Sequence, residues 1–364
     1  MRREYKAVNI AKQMENLLGF KDISDDPLAF ETFYPWELTV ENWLQEGLPL
    51  EFAPGNLYPV PMDPCRFYFN DCMTVPVARY EEWLGFSPLR RLMFSIPYFS
   101  SQYRISGWDD WKVLKEKTEK DLERYCTHEN MMRIYGPYAE EHEKGKYTIR
   151  LRAGTGFFWL SRELLGIEEQ FFAFYDDPEL IHDINRFQLK IYKKYLTEIA
   201  EILKPEVLLI PEDLSGVNGP MISPAVFREF VGNYYRQLFP ELKEHGVKNI
   251  FIDTDGDFRL LIPDFLECGV DGFIPMDVNA GMDIAAVRRQ YPGLKFIGAF
   301  NKLKIVEGPE AIDREFERIL PVVRQGGYIP GCDHQAAPSA SLKNYQYYIK
   351  RLWEVMREAG TQNA

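Results

Sequence analysis

Five short apolar runs recur in the second half of the sequence, and each is separated from the next by a stretch with helical character. They are VLLIPED, NIFIDTDG, GFIPMD, KFIGAFN and GYIPGCDH, beginning at residues 207, 249, 272, 295 and 327. Near-continuous hydrophobicity over so few residues is typical of parallel strands that are covered on both faces. Alternation of strand and helix then requires right-handed strand–helix–strand units. The pattern therefore predicts a parallel sheet surrounded by helices.

The same alternation extends upstream of these runs. YTIRLRAGTG, from residue 147, leads into a helical stretch, and another helix is expected to begin near Asp177 and Pro178. We therefore predict an α/β fold, a TIM (β/α)8 barrel with an N-terminal wrapping extension, whose eight strands lie between residues 65 and 350. The predicted divisions are an extension over residues 1–64, packed on the barrel, the barrel over 65–358 and a C-terminal tail over 359–364.

Local signals place several helix boundaries. Ser223 is a good N-cap residue, Pro224 suits the first helical position, and Gly246 follows the last turn of the same helix. A short helix is predicted from Leu38 to Gln45 in the extension, and a longer one over residues 309–324. The segment after Asp255 is predicted to place Leu260, Leu261, Phe265 and Leu266 on one helical face and to end at Gly269.

Composition and charge exclude several classes of function. The chain has 364 residues, 46% of them hydrophobic, and a formal net charge of -12, which disfavours binding to nucleic acid or to an anionic membrane. No apolar run is long enough for a membrane span, and the first twenty residues do not read as a signal peptide. Five separated cysteines without a C-x-x-C pair indicate a reducing compartment, so we expect the cytoplasm.

Known nucleotide-binding and nucleophile motifs are missing from the sequence. There is no G-x-x-x-x-G-K-[ST] loop, and the nearest approach to G-x-G-x-x-G, in RAGTGFF, lacks the third glycine. We therefore expect no nucleotide cofactor. A G-x-S-x-G elbow is absent as well, which argues against that class of hydrolase.

Every apolar run ends in polar or ionisable residues. These are Glu212 and Asp213, Asp253 and Asp255, Asp277, Asn301 and Lys302, and finally Cys332, Asp333 and His334. The carboxyl ends of the strands of a barrel converge on one mouth, where active sites are built. The sequence therefore predicts one polar site assembled from successive strands, with a small-molecule substrate contacting Asp213, Asp277, Asn301 and Lys302.

Three residues are predicted to carry the chemistry: Glu212, Asp255 and His334. Crowded, partly buried carboxylates have raised pKa values that suit proton transfer, and an imidazole that is neutral near pH 7 can relay a proton or bind a metal. The alternatives are that the carboxylates accept backbone N–H groups in turns and that the histidine is structural. The other histidines, His128, His142, His182 and His245, are predicted to lie at the surface.

A metal site is a further hypothesis for the same strand ends. Its predicted ligands are Asp253, Asp255, Cys332 and His334, because zinc accepts oxygen, sulfur and nitrogen donors. The spacing matches no local zinc motif, and a small buried cysteine is the simpler interpretation of Cys332. Aromatic residues near the amino terminus, among them Trp36, offer either a pocket wall or core packing.

The sequence resembles the uroporphyrinogen decarboxylase-like (URO-D) superfamily, which includes decarboxylases and zinc-dependent, corrinoid-linked methyltransferases. The blocks that carry the resemblance are YPWELTVENWLQEGLP, SGWDDWKVLKE, YDDPELIHDI, PEDLSGVNGPMISPAVFREF, IDTDGDFRLLIPDFLECGVDGFIPMDVNAGMDIAAVRRQYPGLKFIGAFNK and GGYIPGCDHQAAPSASLKNYQYYIKRL. The resemblance implies a TIM barrel with its site at the carboxyl ends of the strands. Because proteins of this superfamily form homodimers, the resemblance also implies a dimer.

Two departures from the superfamily pattern bear on the reaction. Decarboxylases carry a Q-A-G-R block near the amino terminus that grips the substrate carboxylates, whereas this chain has no arginine between Arg3 and Arg66. Methyltransferases bind zinc through H-x-C and a later Cys, and the matching positions here are Asp253, Asp255 and either Cys332 or His334. Oxygen ligands would hold zinc less tightly, which disfavours thiol activation and leaves an ether or amine methyl donor open.

The leading hypothesis is a methyltransferase that moves a methyl group from a small methylated substrate to a corrinoid carried by a partner protein. His334 and Asp255 would polarise or protonate the departing heteroatom, directly or through a metal, and Glu212 would orient them or share the metal. One alternative is a decarboxylase-type carboxy-lyase acting on a tetrapyrrole or a smaller acid. Another is a barrel that binds a ligand or a partner without catalysis.

Overall fold

The computed structural model describes residues 9–21, 29–33, 35–48, 69–74 and 105–361. For residues 69–74 it describes the backbone alone. Cys65, the tail beyond residue 361 and the remainder of the predicted extension lie outside these ranges, so the predicted divisions at residues 64 and 358 remain predictions.

A sheet of seven strands forms the centre of the described part of the chain. Its order is β1-β2-β3-β6-β7-β8-β9, with β1 antiparallel to β2 and the other six strands parallel. The strands are β1 Phe69–Thr74, β2 Thr148–Ala153, β3 Val207–Pro211, β6 Ile250–Asp253, β7 Gly272–Ile274, β8 Lys295–Phe300 and β9 Tyr328–Cys332, and a separate hairpin pairs β4 Ser215–Gly216 with β5 Gly219–Pro220. The six parallel strands fall on the six apolar runs predicted to form them.

Helices follow the parallel strands and cover the sheet. They are α1 Ile10–Leu18, α2 Glu37–Gln45, α3 Trp108–Tyr125, α4 His128–Glu143, α5 Phe157–Leu165, α6 Ile167–Asp176, α7 Pro178–Ile191, α8 Thr197–Leu203, α9 Pro224–Phe227, α10 Asn233–Glu244, α11 Ile262–Glu267, α12 Ile284–Gln290, α13 Leu303–Glu307, α14 Pro309–Val323 and α15 Leu342–Thr361. The parallel strands and their helices confirm the α/β, TIM-barrel fold class. Six parallel strands are described, so the predicted number of eight is tested only in part.

The strands form where the sequence allows burial on both faces. All five residues of β3 and of β9 are buried, as are five of the six in β8. Gly272 at the start of β7 has a specific packing role, because a Cβ there would overlap the ring of Phe251 on the neighbouring strand. Burial of apolar side chains against both helical layers stabilises this sheet.

Most predicted helix boundaries are confirmed. The Ser223 hydroxyl accepts a hydrogen bond from the amide of Val226 at 3.2 Å, and the Asp177 carboxylate accepts one from Leu180 at 3.3 Å. The short helix predicted from Leu38 begins one residue earlier. Of the four residues predicted to share one helical face, Leu261 and Phe265 are buried and Leu266 packs against the core, whereas Leu260 is 62% exposed.

The described parts of the N-terminal extension pack against the end of the barrel sequence. The Gly327 amide donates to the Leu17 carbonyl at 2.7 Å, and the Trp43 indole donates to the Ala340 carbonyl at 2.7 Å. The Thr39 hydroxyl donates to the carbonyl of Ala336 at 2.9 Å. These contacts join residues nearly 300 positions apart in the sequence.

One segment of the extension does more than wrap the barrel. Residues 29–32 are buried, and they contact both outer strands of the parallel sheet. Glu31 accepts hydrogen bonds from the Cys332 amide of β9 at 3.3 Å, while the Thr32 carbonyl accepts one from Arg150 of β2 at 3.5 Å. Residues 29–32 therefore bridge β9 and β2 through side-chain hydrogen bonds.

A buried network of polar groups lies at the amino-terminal ends of the strands. The Glu206 carboxylate accepts hydrogen bonds from His142 at 2.8 Å, Thr148 at 2.7 Å, the Ile149 amide at 2.8 Å and Lys248 at 2.8 Å. Burial acts to raise the pKa of Glu206, but His142 and Lys248 outweigh it and lower the pKa. His142 is 7% exposed, so its predicted surface position was wrong.

None of the helices in the described ranges has the length and the apolar character needed to cross a lipid bilayer.

Candidate active site at the carboxyl ends of the strands

Asp255 and His334 meet at the carboxyl ends of β6 and β9. The Nε2 atom of His334 lies 3.9 Å from Oδ2 of Asp255, and both side chains are partly exposed. Each follows its strand by two residues, so the parallel strands carry the two groups to the same end of the sheet. We call the polar surface around this pair, formed by the loops after the parallel strands, the mouth.

The environment of Asp255 favours its neutral form. Burial, followed by the charges of Asp253, Asp213 and Asp277, raises the pKa of Asp255 to about 7, and Lys302 opposes this rise. Like charges so close together cannot all ionise without cost, so one of them retains its proton. A carboxyl group with this pKa exchanges protons readily near neutral pH.

His334 is a neutral imidazole at the same pH. Burial, helped by the charge of Lys302, lowers the pKa of His334 to about 4, against the influence of Asp277 and Asp213. The ring stacks on Phe33, with centroids 5.3 Å apart and planes 21° apart, and it lies 5.8 Å from the indole of Trp36. The imidazole therefore has aromatic neighbours on one side and a carboxyl group on the other.

Phe33 and Trp36 are the site residues that sequence reasoning missed or undervalued. Both belong to the N-terminal extension, which lacks a periodic pattern that would indicate where its side chains point. The signal was the density of aromatic residues in FETFYPWE, which was interpreted mainly as core. Trp36 is 48% exposed, so core packing does not account for it.

Two of the predicted carboxylates are paired with arginines. Arg152 of β2 lies 3.2 Å from the Asp253 carboxylate, and Arg162 of α5 lies 3.1 Å from that of Asp213. Arg162 also donates to the backbone carbonyl of Asp213 at 2.8 Å. Sequence reasoning missed both arginines, because one is inside a strand and the other inside a helix. The charges of Asp213 and Asp253 are thus compensated within the site.

The other predicted substrate-binding residues surround the loops after β7 and β8. Asp277 accepts hydrogen bonds from the amides of Asn279 at 3.0 Å and Ala280 at 3.3 Å, which caps a short 3-10 turn. Asn301 donates to the side chain of Asn279 at 3.2 Å. Lys302 is partly exposed, and its charge acts on Asp255 and His334. These residues border the mouth, and their contact with a substrate stays a prediction.

Asp333 holds the loops of the mouth together. Its buried carboxylate accepts hydrogen bonds from the Lys302 amide at 3.0 Å, the Val278 amide at 3.3 Å and the Asn279 side chain at 3.4 Å. Burial raises the pKa of Asp333 to about 6, although these donors oppose the rise. Asp333 thereby fixes the backbone immediately before His334.

Glu212 does not occupy the place predicted for it. Its carboxylate is fully buried and accepts hydrogen bonds from the amides of Phe157, Phe158 and Trp159, at 3.0 to 3.1 Å, and from the hydroxyl of Tyr235. These amides form the start of α5, where a negative charge is favourable. Burial raises the pKa of Glu212 to about 7, and the four donors limit that rise. Glu212 caps a helix, so the role of orienting Asp255 and His334 is withdrawn.

The predicted zinc ligands do not form one site. Cys332 is buried beside Tyr348 and Glu31, where burial raises the pKa of its thiol, and Asp253 is paired with Arg152. Among the described residues, no group of three or more His, Cys, Asp and Glu side chains is arranged to hold a metal ion. The donor set predicted for zinc therefore does not fit this geometry, and Cys332 is removed from it.

Comparisons with known proteins agree with this fold. The chain is similar to a methyltransferase from Methanosarcina mazei at 12% identity and a TM-score of 0.52, over 94% of this chain and 98% of that one. A putative vitamin-B12 independent methionine synthase from Listeria monocytogenes matches 60% of this chain and 69% of its own at 15% identity, and its TM-score of 0.36 is too low to support an inference. No curated protein matches the sequence.

A family model covers more than half of the chain. Residues 160–355 match the model described as uroporphyrinogen decarboxylase (URO-D), and the matched region contains β3, β6, β7, β8 and β9 together with Asp255 and His334. The resemblance seen in the sequence is thereby confirmed. This chain belongs to the uroporphyrinogen decarboxylase family.

Proposed function

We propose that this protein is an enzyme that removes a methyl group from a small methylated substrate and passes it to a corrinoid carried by a partner protein. The observation that carries the proposal is the Asp255–His334 pair, 3.9 Å apart at the mouth of the barrel. Family membership supports an enzyme with its site at this mouth. A partner corrinoid protein and a homodimer stay predictions.

The proposed reaction requires the heteroatom of the substrate to separate from the methyl carbon. The bond between the methyl carbon and the heteroatom breaks, the methyl group goes to the acceptor, and the electron pair of the bond stays on the heteroatom. The corrinoid supplies the nucleophile for this displacement. Asp255, with a pKa near 7, gives a proton to the heteroatom or keeps one on it, so that the leaving group departs in neutral form.

His334 and the loops around it would position the substrate. The imidazole is neutral, so it offers one donor and one acceptor nitrogen beside Asp255. Asp213, Asp277, Asn301 and Lys302 border the same space and are proposed to contact the substrate. No step passes through zinc, since the predicted ligands do not converge.

Substitution of the pair tests the proposal. Asp255→Asn and His334→Gln should each lower kcat/KM for methyl transfer by at least about 100-fold, as is common for loss of an acid–base group. The matched control is Asp257→Asn, because Asp257 is paired with Arg259 in the loop after β6. Transfer is measured with the purified chain and a corrinoid protein. Full turnover in the Asp255→Asn, His334→Gln double variant contradicts the proposal.

Decarboxylation of a small acid is the second candidate, and Lys302 at the mouth favours it. Lys302 provides positive charge that a substrate carboxylate needs, whereas Arg152 and Arg162 are paired with Asp253 and Asp213. In that reaction the carbon–carboxylate bond breaks, and Asp255 protonates the carbon that keeps the electron pair. Release of CO2 without methylation of a corrinoid protein identifies this reaction. Binding without turnover in either assay identifies a barrel that has no catalytic role.

A further inference from the structure

We infer that the substrate is an N-methyl ammonium cation, held between the exposed indole of Trp36 and the carboxylates of Asp255 and Asp277. This inference rests on the methyl-transfer function proposed above and names the class of methyl donor. Aromatic faces and carboxylates together recognise alkylated ammonium ions, since the ring supplies a negative quadrupole and the carboxylate a full charge.

The aromatic side of this site is Trp36. Its indole is 48% exposed and lies 5.8 Å from the ring of His334, which also stacks on Phe33. An indole left half in water at the mouth of a barrel offers apolar and π surface to a ligand. Trp36 makes no side-chain hydrogen bond as the N-cap residue of α2, so its indole is not needed to cap that helix.

The charge balance of the mouth also favours a cation. Asp213 and Asp253 are paired with Arg162 and Arg152. Within the described residues, neither Asp255 nor Asp277 has a lysine or arginine at ion-pair distance, and Lys302 is the cation whose charge acts on Asp255 from further away. A cationic ligand beside these two carboxyl groups favours the ionised form of Asp255, whose pKa of about 7 leaves it partly protonated without a ligand.

A cationic methyl donor also suits the proposed reaction. The bond between nitrogen and the methyl carbon breaks, its electron pair stays on nitrogen, and the amine departs uncharged while the corrinoid receives the methyl group. A protonated amine keeps its proton beside Asp255, and a quaternary ammonium ion needs none. An ether would require Asp255 to supply a proton, and an anion would meet unpaired carboxylates.

A binding experiment with three molecules of the same shape tests the charge preference. Choline is the cation, 3,3-dimethylbutan-1-ol is its neutral isostere, and 3,3-dimethylbutanoate is the related anion. Binding to the full-length protein is measured by isothermal titration calorimetry. We expect choline to bind at least about tenfold more tightly than the alcohol, as cation–π and carboxylate contacts allow, and the anion to bind most weakly.

Variants at Trp36 distinguish a specific contribution of the indole to cation binding from a contribution of packing alone. Trp36→Leu should weaken choline binding at least about tenfold while leaving the alcohol unchanged, and Trp36→Phe should keep most of the affinity. Tyr175→Leu, at an aromatic residue of α6 that is 76% exposed, is the control and should have no effect. Asp277→Asn should weaken choline alone.

The outcomes test this inference separately from the methyl-transfer function on which it rests. Equal binding of choline and its neutral isostere, or unchanged choline binding in Trp36→Leu, overturns the inference. Demethylation of ethers by a protein that does not bind choline also overturns it, while the methyl-transfer proposal stands. Selective choline binding without any methylation of a corrinoid protein supports the cation site and removes the methyl-transfer proposal.

Discussion

The two ends of the barrel treat buried carboxylates in opposite ways. At the amino-terminal ends of the strands, Glu206 is surrounded by four donors, and its pKa is lowered. At the carboxyl ends, Asp255 is surrounded by other carboxylates, and its pKa is raised to about 7. The first arrangement stabilises the folded state. The second destabilises it, because the environment that raises the pKa of Asp255 disfavours its charged form and leaves it with a proton near neutral pH.

This difference shows which carboxylates can be changed without loss of the fold. The hydrogen-bond donors around a buried charge must be kept if the fold is to stay stable, because a buried charge without partners is costly in free energy. A cluster of like charges destabilises the folded state, so such clusters are found mainly at sites whose chemistry requires a shifted pKa. The predictions below test whether the two ends of the barrel are separable in this way.

The largest effect on stability is expected for Glu206→Ala. Its removal leaves the buried donors of His142, Thr148 and the Ile149 amide unsatisfied, while Lys248 keeps Glu15, and each unsatisfied buried donor costs about 1–3 kcal/mol. Urea unfolding measures the loss. The catalytic parameters of the fraction that remains folded should equal those of the wild type, and a change in them would show that the two ends are coupled.

Glu212→Ala tests whether position along the barrel is what matters. Glu212 follows β3 at the carboxyl end, but it resembles Glu206 because four donors saturate it. Leaving the amides of α5 and the Tyr235 hydroxyl unsatisfied should lower the free energy of unfolding by about 2–3 kcal/mol. Gln at this position should cost less, since it still accepts hydrogen bonds. A Glu212→Ala protein of wild-type stability would refute the capping role.

Asp255→Asn should stabilise the protein while it abolishes activity. Removing one carboxylate from the group formed with Asp213, Asp253 and Asp277 relieves repulsion. Because Asp255 is partly exposed, solvent screening limits the gain above pH 7 to about 1 kcal/mol. Chemical unfolding at pH 8 measures it, and Asp257→Asn is the control. A loss of stability would mean that Asp255 makes a favourable contact in the folded state.

The smallest effect is expected in the pH dependence of the wild-type protein, because two contributions oppose each other. Glu206 has a lowered pKa, so its stabilisation is present above the unfolded pKa near 4.5 and is lost as the pH falls. Asp255 has a raised pKa, so stability falls as the pH rises from about 4 to about 7. Because the first change lies below about pH 4.5 and the second above it, the two contributions together give a shallow maximum of stability near pH 4 to 5.

Variants should reveal each slope separately. In Glu206→Gln the acid-side loss should shrink, and in Asp255→Asn the decline between about pH 4 and pH 7 should shrink. Free energies of unfolding from urea titrations at several pH values provide the measurement. Identical profiles for wild type and both variants would refute the pKa shifts assigned to these two groups.

Sequence reasoning located the strands and the end of the barrel that bears the site. Apolar runs of five or six residues defined β3, β6, β7, β8 and β9, and the residues after them include Asp255 and His334, which do meet. It did not distinguish Glu212, which caps a helix, from Asp213 at the mouth. Neighbouring residues at a strand end point to different sides, and the start of α5, whose amides bond to Glu212, lies 55 residues away in the sequence. Side-chain direction after a strand depends on the loop, which has no period.

The aromatic neighbours of His334 were harder to predict for a different reason. Phe33 and Trp36 lie beside His334 because the neighbouring residues 29–32 bond to β9 and β2, and that placement depends on contacts with a distant part of the sequence. Local propensity carries no information about a pairing across 300 residues. His142 was misplaced for the same reason, since its burial depends on Glu206 and Lys248 rather than on its own helix.

The placement of residues 29–32 also affects how the protein is made. Glu31 accepts hydrogen bonds from the Cys332 amide and, at 2.5 Å, from the hydroxyl of Tyr348, and both partners are synthesised about 300 residues after it. We therefore expect Phe33 and Trp36 to lack their barrel contacts in the nascent chain until these partners have been made. Translation pauses late in the message should therefore expose the first part of the chain for longest.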